Sequence, residues 1–471
     1  LRATLDVRER RMLAAFDVAP RVAVCVARGD LRQHTERLPS RWVLPTLRAL
    51  SGDATLAATK WQHAVDAAER RVRVSPSFAG SLLAADEPST ATEWRMRQAW
   101  ATRHLDDRAD DAACQMLRAR RSDEFTRFDG NLAGVKGLPD YSDGGRAVSP
   151  TSLERYAICP HAWFVERLLY VEPLKNPEES VEIGALEIGN IVHESFDRRV
   201  TEAAAGGELP GFGEPWSDAQ RTRLREIGRA VADRYEAEGR VGHARLWPNE
   251  RHRILAVLEF MVGSDNAWRA GRGARVVASE LPFGLRGADP VLLPLLDGGT
   301  VAFRGSADKV DETRDGTLLV TDIKTGSSRS FKALKDDPVA KGEKLQLPVY
   351  ALAARQTHGK ADAPVEAMYW FVRRDRGRIP VELTPEVAKR FTATIALLTR
   401  GIAHGAFPAR APEKADHRWV QCPYCNPDGL GHAEVRRRWE RKRVSPELCE
   451  YARLVEDLPV DGESGDGRVD R

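Results

Sequence analysis

Asp322 and Lys324 stand two residues apart at the end of an apolar run, Leu318-Leu319-Val320-Thr321-Asp322-Ile323-Lys324. Side chains alternate faces along a strand, so the acid and the amine point one way and Ile323 points into a core. Chemistry gives this placement a use. The carboxylate can hold Mg²⁺ with help from the Ile323 carbonyl, and the ammonium can orient a water or offset charge on a phosphate. One carboxylate holds Mg²⁺ poorly, so partners are expected. Asp308 follows Gly305-Ser306-Ala307 on the preceding strand, and Glu280 lies on the strand before that. Gln346 and Tyr350, at i and i+4, share a helix face. His193 follows Gly189 by about one turn of an amphipathic helix, where an imidazole could complete the metal shell. Taken singly, each residue has an ordinary reading: a solvated strand edge, an interfacial histidine, a plain helix face. Asp311 and Glu312 read as solvated turn residues. The ordered set (His, Glu, Asp, D-x-K, Q-x-x-x-Y) points instead to one hydrolytic metal site.

The elements that must carry these residues follow from hydrophobic period and turn chemistry. Ser149-Pro150-Thr151-Ser152 is a helix start, and helical signals run from there to about residue 270. Strands are predicted over 275–285, 300–312 and 317–324. Asp297-Gly298-Gly299 and Arg314-Asp315-Gly316 supply turns, so the last two strands should form a hairpin. A helix over 344–356, a strand over 366–373 and a helix over 384–403 complete the region. Upstream, the pattern reads helix (5–16), buried strand (22–27) and helix (40–50), then mostly helix over 56–130. Residues 130–145 carry five Gly and Pro139 and read as a linker.

Composition narrows the function. The chain has 471 residues, 42% hydrophobic and 30% charged, enough for two to four domains with full cores. Its 72 basic and 69 acidic residues leave a formal +3, so nucleic-acid binding must use local patches rather than a basic coat. Six Cys in this length exclude a small disulfide scaffold. No apolar run approaches the ~20 residues of a membrane span, and the first 20 residues are charged throughout, unlike a signal peptide. A reducing cytoplasm is the expected setting. No G-x-x-x-x-G-K-[ST] occurs, so the chain has no P-loop of its own.

On these residues the chain resembles the PD-(D/E)xK nuclease superfamily, within it the RecB/AddB type, over roughly 149–430. The resemblance implies an α/β restriction-endonuclease-like core, a mixed central sheet flanked by helices, here with a helical N-terminal extension. It implies a metal site of His193, Asp308, Asp322 and the Ile323 carbonyl. Glu280, Asp308, Asp322, Lys324, Gln346 and Tyr350 would be the catalytic set, and Mg²⁺ or Mn²⁺ the cofactor. Some relatives carry an iron–sulfur staple with one Cys before the nuclease core and three after it. Cys159, Cys422 and Cys425 match. The last Cys of the pattern is missing from 426–432, which leaves Cys449, or His432 or His161 as a substitute. A [4Fe–4S] cluster and a Cys₃His zinc site both fit this set, as does a lost site. Cys25 and Cys114 read as core residues.

The run Glu434-Val435-Arg436-Arg437-Arg438-Trp439 lies in a basic stretch. Arg436, Arg437 and Arg438 could lie along a phosphate backbone with Trp439 stacked on a base; a solvated helix is the alternative. Arg373, Arg374, Arg376 and Arg378 form a second possible phosphate patch. The N-terminal region is similar to the end of a helicase domain, and the chain begins with Leu, so a fragment of a longer AddB-like protein is expected. The expected organisation is a helicase-like end (1–50), a helical connector and linker (51–145), a nuclease domain with its Cys staple (146–455) and a disordered tail (456–471). The function expected is Mg²⁺-dependent, exonuclease-type DNA hydrolysis in double-strand-break repair and recombination, with a helicase–nuclease partner subunit and no membrane. One alternative is a non-catalytic DNA-binding or scaffold subunit. Another is a compact CRISPR-associated exonuclease, against which the long helical N-terminus argues.

Overall fold

The computed structural model describes residues 2–26, 38–61, 72, 78–84, 87–102, 108–173, 181–358, 362–414, 419, 422–425 and 432–456. It divides into two units. One comprises Leu1–Phe128 with Arg410–Arg441, the other Asp129–Ala409 with Lys442–Arg471. Most of the expected tail, residues 457–471, lies outside the described residues.

The first unit is helical. It holds α1 (Arg2–Asp17), α2 (Leu44–Ser51), α3 (Phe78–Ala84), α4 (Ala91–Thr102) and α5 (Arg108–Arg121). A small core gathers Val43, Leu47, Leu56 and Trp61. The strand expected over 22–27 is absent from its described part, 22–26, where the chain is irregular and mostly exposed. Cys25 is exposed rather than core. An apolar run becomes a buried strand only against another strand, and the described residues of this unit contain none. Cys114, on α5, is half-buried.

The second unit begins with the glycine-rich segment, which is no free spacer. Phe407 donates to the Gly130 carbonyl (2.9 Å) and Thr300 to the Ser142 carbonyl (2.7 Å), and Tyr141 is buried. Next comes α6 (Pro150–Ile158), opened as its sequence dictates: Pro150 takes the first turn and the Ser149 hydroxyl accepts from Ser152 N–H at 3.2 Å. Three long helices follow: α7 (Ala185–Ala205), α8 (Asp218–Ala237) and α9 (Trp247–Arg272). The Ser217/Gln220 capping box starts α8.

Five strands form the central sheet in the order β1-β4-β5-β6-β7. They are β1 (Ala274–Phe283), β4 (Gly305–Thr313), β5 (Leu318–Lys324), β6 (Val365–Phe371) and β7 (Gly377–Val381). Only β5 and β6 run parallel, joined through α10 (Gln346–Thr357), so the sheet is mixed. The strand expected over 300–312 is broken at Arg304. Its first part, β3 (Thr300–Phe303), pairs with the short β2 (Val291–Pro294) in a separate ribbon. The expected hairpin is β4–β5, with Lys309 opposite Thr321 and Glu312 opposite Leu318. After the sheet come α11 (Pro385–Ala403), α12 (His432–Lys442, largely in the first unit) and α13 (Cys449–Glu456).

Side-chain alternation gives each sheet face its own core. Ile323, Trp370 and Val276 pack with Ile191, Val231, Leu258 and Met261 of α7, α8 and α9. Tyr369, Phe371 and Ala367 pack with Leu347 of α10 and Phe331 and Leu334. Asp322 and Lys324 therefore belong to the α10 face while Ile323 is sealed beneath the long helices.

Asp311, expected as a solvated turn residue, is fully buried. It pairs with Lys309, whose Nζ is 3.0 Å from Asp265 Oδ1; Asp265 Oδ2 in turn accepts from Arg269 at 2.8 Å and from Trp216 at 3.0 Å. The partners that bury it sit on α9 and beyond, out of reach of local sequence reasoning. In the Arg373–Arg378 patch, Arg374 and Arg376 are exposed, while the other two arginines are partly covered. Arg373 pairs with Glu250 at 3.0 Å, Arg376 lies over Phe260, and Arg378 lies between Trp268 and Trp370.

Candidate active site

Four elements converge at one end of the sheet. α7 brings His193, β1 Glu280, β4 Asp308, and β5 Asp322, Ile323 and Lys324. His193 contacts Glu280 Oε1 through Nδ1 at 3.1 Å and the Ile323 carbonyl through Nε2 at 3.1 Å. Its Nδ1 is 3.8 Å from Asp308 Oδ2. Asp308 Oδ2 in turn accepts the Ile323 N–H at 2.6 Å. Both backbone groups of Ile323 are thus engaged by side chains, just beyond the last β4–β5 pair, Lys309–Thr321. One ligand atom each of His193, Glu280 and Asp308 lies within 4.8 Å of the others.

Glu280 sits in β1 with φ 44°, the left-handed region. A non-glycine residue held there stores roughly 1–3 kcal/mol, a cost that collects where a side chain must be aimed.

The second half of the site lies on the α10 face. Lys324 Nζ is 2.6 Å from Asp322 Oδ2 and donates to Gln346 Oε1 at 3.0 Å. Gln346 Nε2 donates to the Tyr350 hydroxyl at 2.8 Å. The i, i+4 spacing thus produces a chain of contacts from acid to amine to amide to phenol. Asp322 is buried, and its contact with Lys324 is ionic rather than a well-angled hydrogen bond. Its Oδ1 accepts nothing among the described residues. This buried carboxylate, two more carboxylates and a backbone carbonyl from the same end of the sheet make an oxygen-rich donor set with one imidazole, and such a set suits Mg²⁺ or Mn²⁺.

Electrostatics fit the same account. Burial opposes charge on His193, but Asp308 and Glu280 outweigh it and lift its pKa to about 9. Burial and the neighbouring Asp322 raise Asp308 to about 7, against the pull of His193. Burial also works on Glu280, yet its bond to His193 leaves it below the usual carboxylate value. Lys324 is desolvated, and Asp322 and Asp308 more than offset this, so its pKa rises and it remains an ammonium at neutral pH. Burial pushes the Tyr350 phenol well up, so it keeps its proton.

Sequence spacing did not single out Glu154, on α6. Its carboxylate accepts the Leu345 N–H at 2.6 Å, and burial raises its pKa to about 7 against the pull of that bond, Lys344 and Lys324. Its only sequence signal is its place one turn into a well-capped helix.

The remaining candidates are not part of this constellation. Cys159 (buried) and Cys449 (half-buried) belong to the second unit, Cys422 (half-buried) and Cys425 (buried) to the first. The Cys449 thiol lies 3.5 Å from the Pro446 carbonyl. On α12, Trp439 is buried, so it presents no face for a base. Arg436 pairs with Glu440 and Arg438 with Glu434, both mostly covered, while Arg437 is exposed beside Glu434. Among the described residues no helix is long and apolar enough to cross a membrane.

The family description "PD-(D/E)XK nuclease superfamily" matches residues 147–428, more than half of the chain and all of the elements above that carry the site. The chain is also similar to an ATP-dependent helicase/deoxyribonuclease subunit of Clostridium perfringens. Two strains give 25% identity over 221 residues, and strain SM101 gives 24%. Each match spans 45% of this chain and only 18% of the relative's length.

Proposed function

The chain belongs to the PD-(D/E)XK nuclease superfamily, and from that membership we propose that it is a divalent-metal-dependent DNA nuclease of exonuclease type. The observation that carries the reading is the convergence of His193, Glu280 and Asp308 ligand atoms within 4.8 Å, beside the bare Asp322 oxygen. His193, Asp308, Asp322 and the Ile323 carbonyl would hold Mg²⁺ or Mn²⁺, with Glu280 adjoining. Such a cation supplies Lewis-acid charge at the scissile phosphate and lowers the pKa of bound water.

The chain's own residues supply the rest. Lys324, held as an ammonium by Asp322, cannot take a proton from water; it orients the nucleophile and offsets charge developing on the phosphate. Gln346 and Tyr350 fix the direction of the ammonium. Glu280 and Asp308 hold His193 in its ring orientation.

By similarity to a helicase/deoxyribonuclease protein, the proposal extends to double-strand-break processing beside a helicase–nuclease partner subunit. Cys159, Cys422, Cys425 and Cys449 are proposed, on their order in the sequence, as thiolate ligands of an iron–sulfur cluster or of zinc. Iron and zinc analysis of the purified chain distinguishes the two, and neither metal present would remove the proposal.

The decisive experiment incubates the chain with labelled linear DNA and Mg²⁺, with EDTA and Lys324→Ala as controls. Cleavage that EDTA abolishes and Lys324→Ala loses is expected, with DNA binding retained in the variant. Binding of DNA ends without cutting would overturn the enzymatic reading in favour of a scaffold role.

A further inference from the structure

The ammonium of Lys324 is aimed by Gln346, so whatever fixes Gln346 fixes the site. Gln346 is the first residue of α10, and the start of that helix is poorly provided for by its own sequence. The N-cap residue, Leu345, has no side-chain oxygen to cap with. The segment before it turns through three consecutive left-handed residues, Ala340 (φ 44°), Lys341 (φ 59°) and Gly342 (φ 86°), two of which are not glycine. Such a segment persists only when its surroundings hold it. Asp337 accepts the Val339 and Lys341 N–H groups at 3.2 and 2.7 Å. The other support is α6. Gly342 lies so close to Ala157 that an added Cβ would come within 3.0 Å of the Ala157 methyl. One turn back on α6, the Glu154 carboxylate accepts the Leu345 N–H at 2.6 Å. That places an acceptor at the N-terminus of α10, where backbone N–H groups lack partners within the helix.

We infer that Glu154 is a positioning residue for the hydrolytic site: its bond to the Leu345 N–H sets the first turn of α10 and so holds Gln346 against Lys324. The inference rests on the nuclease reading above and adds a residue to it. Because Glu154 acts through geometry, its loss should lower turnover and leave DNA affinity unchanged.

Two conservative variants separate the bond from the charge. Glu154→Gln keeps an acceptor oxygen at full reach and removes the charge. Glu154→Asp keeps the charge and withdraws the acceptor by one methylene. With Mg²⁺ and linear DNA, Glu154→Asp should lose about tenfold in kcat, as expected of a misaligned group, with KM within about twofold. Glu154→Gln should stay close to wild type. Hydrogen exchange at the Leu345 amide should quicken in Glu154→Asp and remain slow in Glu154→Gln. Full turnover in Glu154→Asp, a Glu154→Gln variant as slow as Glu154→Asp, or a loss confined to KM would overturn the role. A wild-type chain that does not cut would overturn the nuclease reading, and this role with it.

Discussion

Asp308→Asn should abolish metal-dependent cleavage and, in the absence of metal, make the fold more stable. The two effects have one cause. Asp308 is buried beside Asp322, and its pKa stands at about 7 instead of the ordinary 3.8. The folded chain holds this proton more tightly than the unfolded chain does. Stability therefore falls as pH rises from about 4 to about 7, and the full cost, on the order of 4 kcal/mol, stands above 7. His193 offsets part of it. Its folded pKa of about 9 exceeds the usual 6.5, so its contribution is whole below 6.5 and lost as pH rises through 9, and it depends on Asp308. That pull is already contained in the Asp308 value, so it is not counted a second time. The amide oxygen of the variant can still accept the Ile323 N–H, so no buried donor is orphaned. The net expectation is a gain of up to about 4 kcal/mol at pH 8 in EDTA, shrinking towards zero near pH 4. Mg²⁺ narrows the gap, because a ligand at a hundredfold its Kd stabilises only the chain that binds it, by about 2.7 kcal/mol. Urea or thermal unfolding at pH 4 and pH 8, with EDTA and with Mg²⁺, measures all four corners. An Asp308→Asn variant no more stable than wild type at pH 8 in EDTA, or stabilised equally by Mg²⁺, would refute the reasoning.

Two further outcomes follow from the same contacts. Mn²⁺ affinity, measured by calorimetry, should strengthen from pH 6 to pH 9 with proton release, because His193 (about 9) and Asp308 (about 7) must both give up protons to become ligands; a flat profile would count against them. Asp311→Ala should destabilise the fold by on the order of 3 kcal/mol, since it leaves the buried Lys309 and Arg269 to share Asp265, and a change in melting temperature under ~2 °C would show the network to be dispensable.

The site was legible in the sequence because strand geometry is a local rule. The alternation of Asp322, Ile323 and Lys324 follows from period two alone, and the turn at Arg314-Asp315-Gly316 sets the β4–β5 hairpin. What stayed hidden depends on partners distant in sequence. Asp311 looks solvated until Lys309 beside it and Asp265 and Arg269 of α9 are in place. The arginines after β6 look like a phosphate patch until Trp268 and Phe260 are beneath them. β7 carries Pro380, which suits an edge strand and weakens the strand signal. Trp439 was open to a better reading: Val435 and Trp439, at i and i+4, are both buried and mark the covered stripe of α12.

Among the described residues of the second unit, two ionic groups of four or more side chains are set against the sheet, and the contrast between them argues for a ligand at only one. Lys309 and Arg269 face Asp265 and Asp311, two charges of each sign, and each has an opposite charge in contact. That group is closed and needs nothing more. One residue before Lys309 on β4, with its side chain on the other face, Asp308 joins Glu280, Asp322, Lys324 and an imidazole. Once His193 is neutral, as a ligand must be, three ionised carboxylates against one ammonium leave two negative charges uncompensated. Without a cation the group accommodates this by keeping protons on His193 and Asp308, by leaving Asp322 Oδ1 bare, and by holding Glu280 at a left-handed φ. The bare oxygen and the left-handed φ cost stability, and none of the three improves packing. A divalent cation would relieve the first two at once and match the missing charge, which is the physical ground for assigning the site to metal-dependent hydrolysis rather than to the architecture of the sheet.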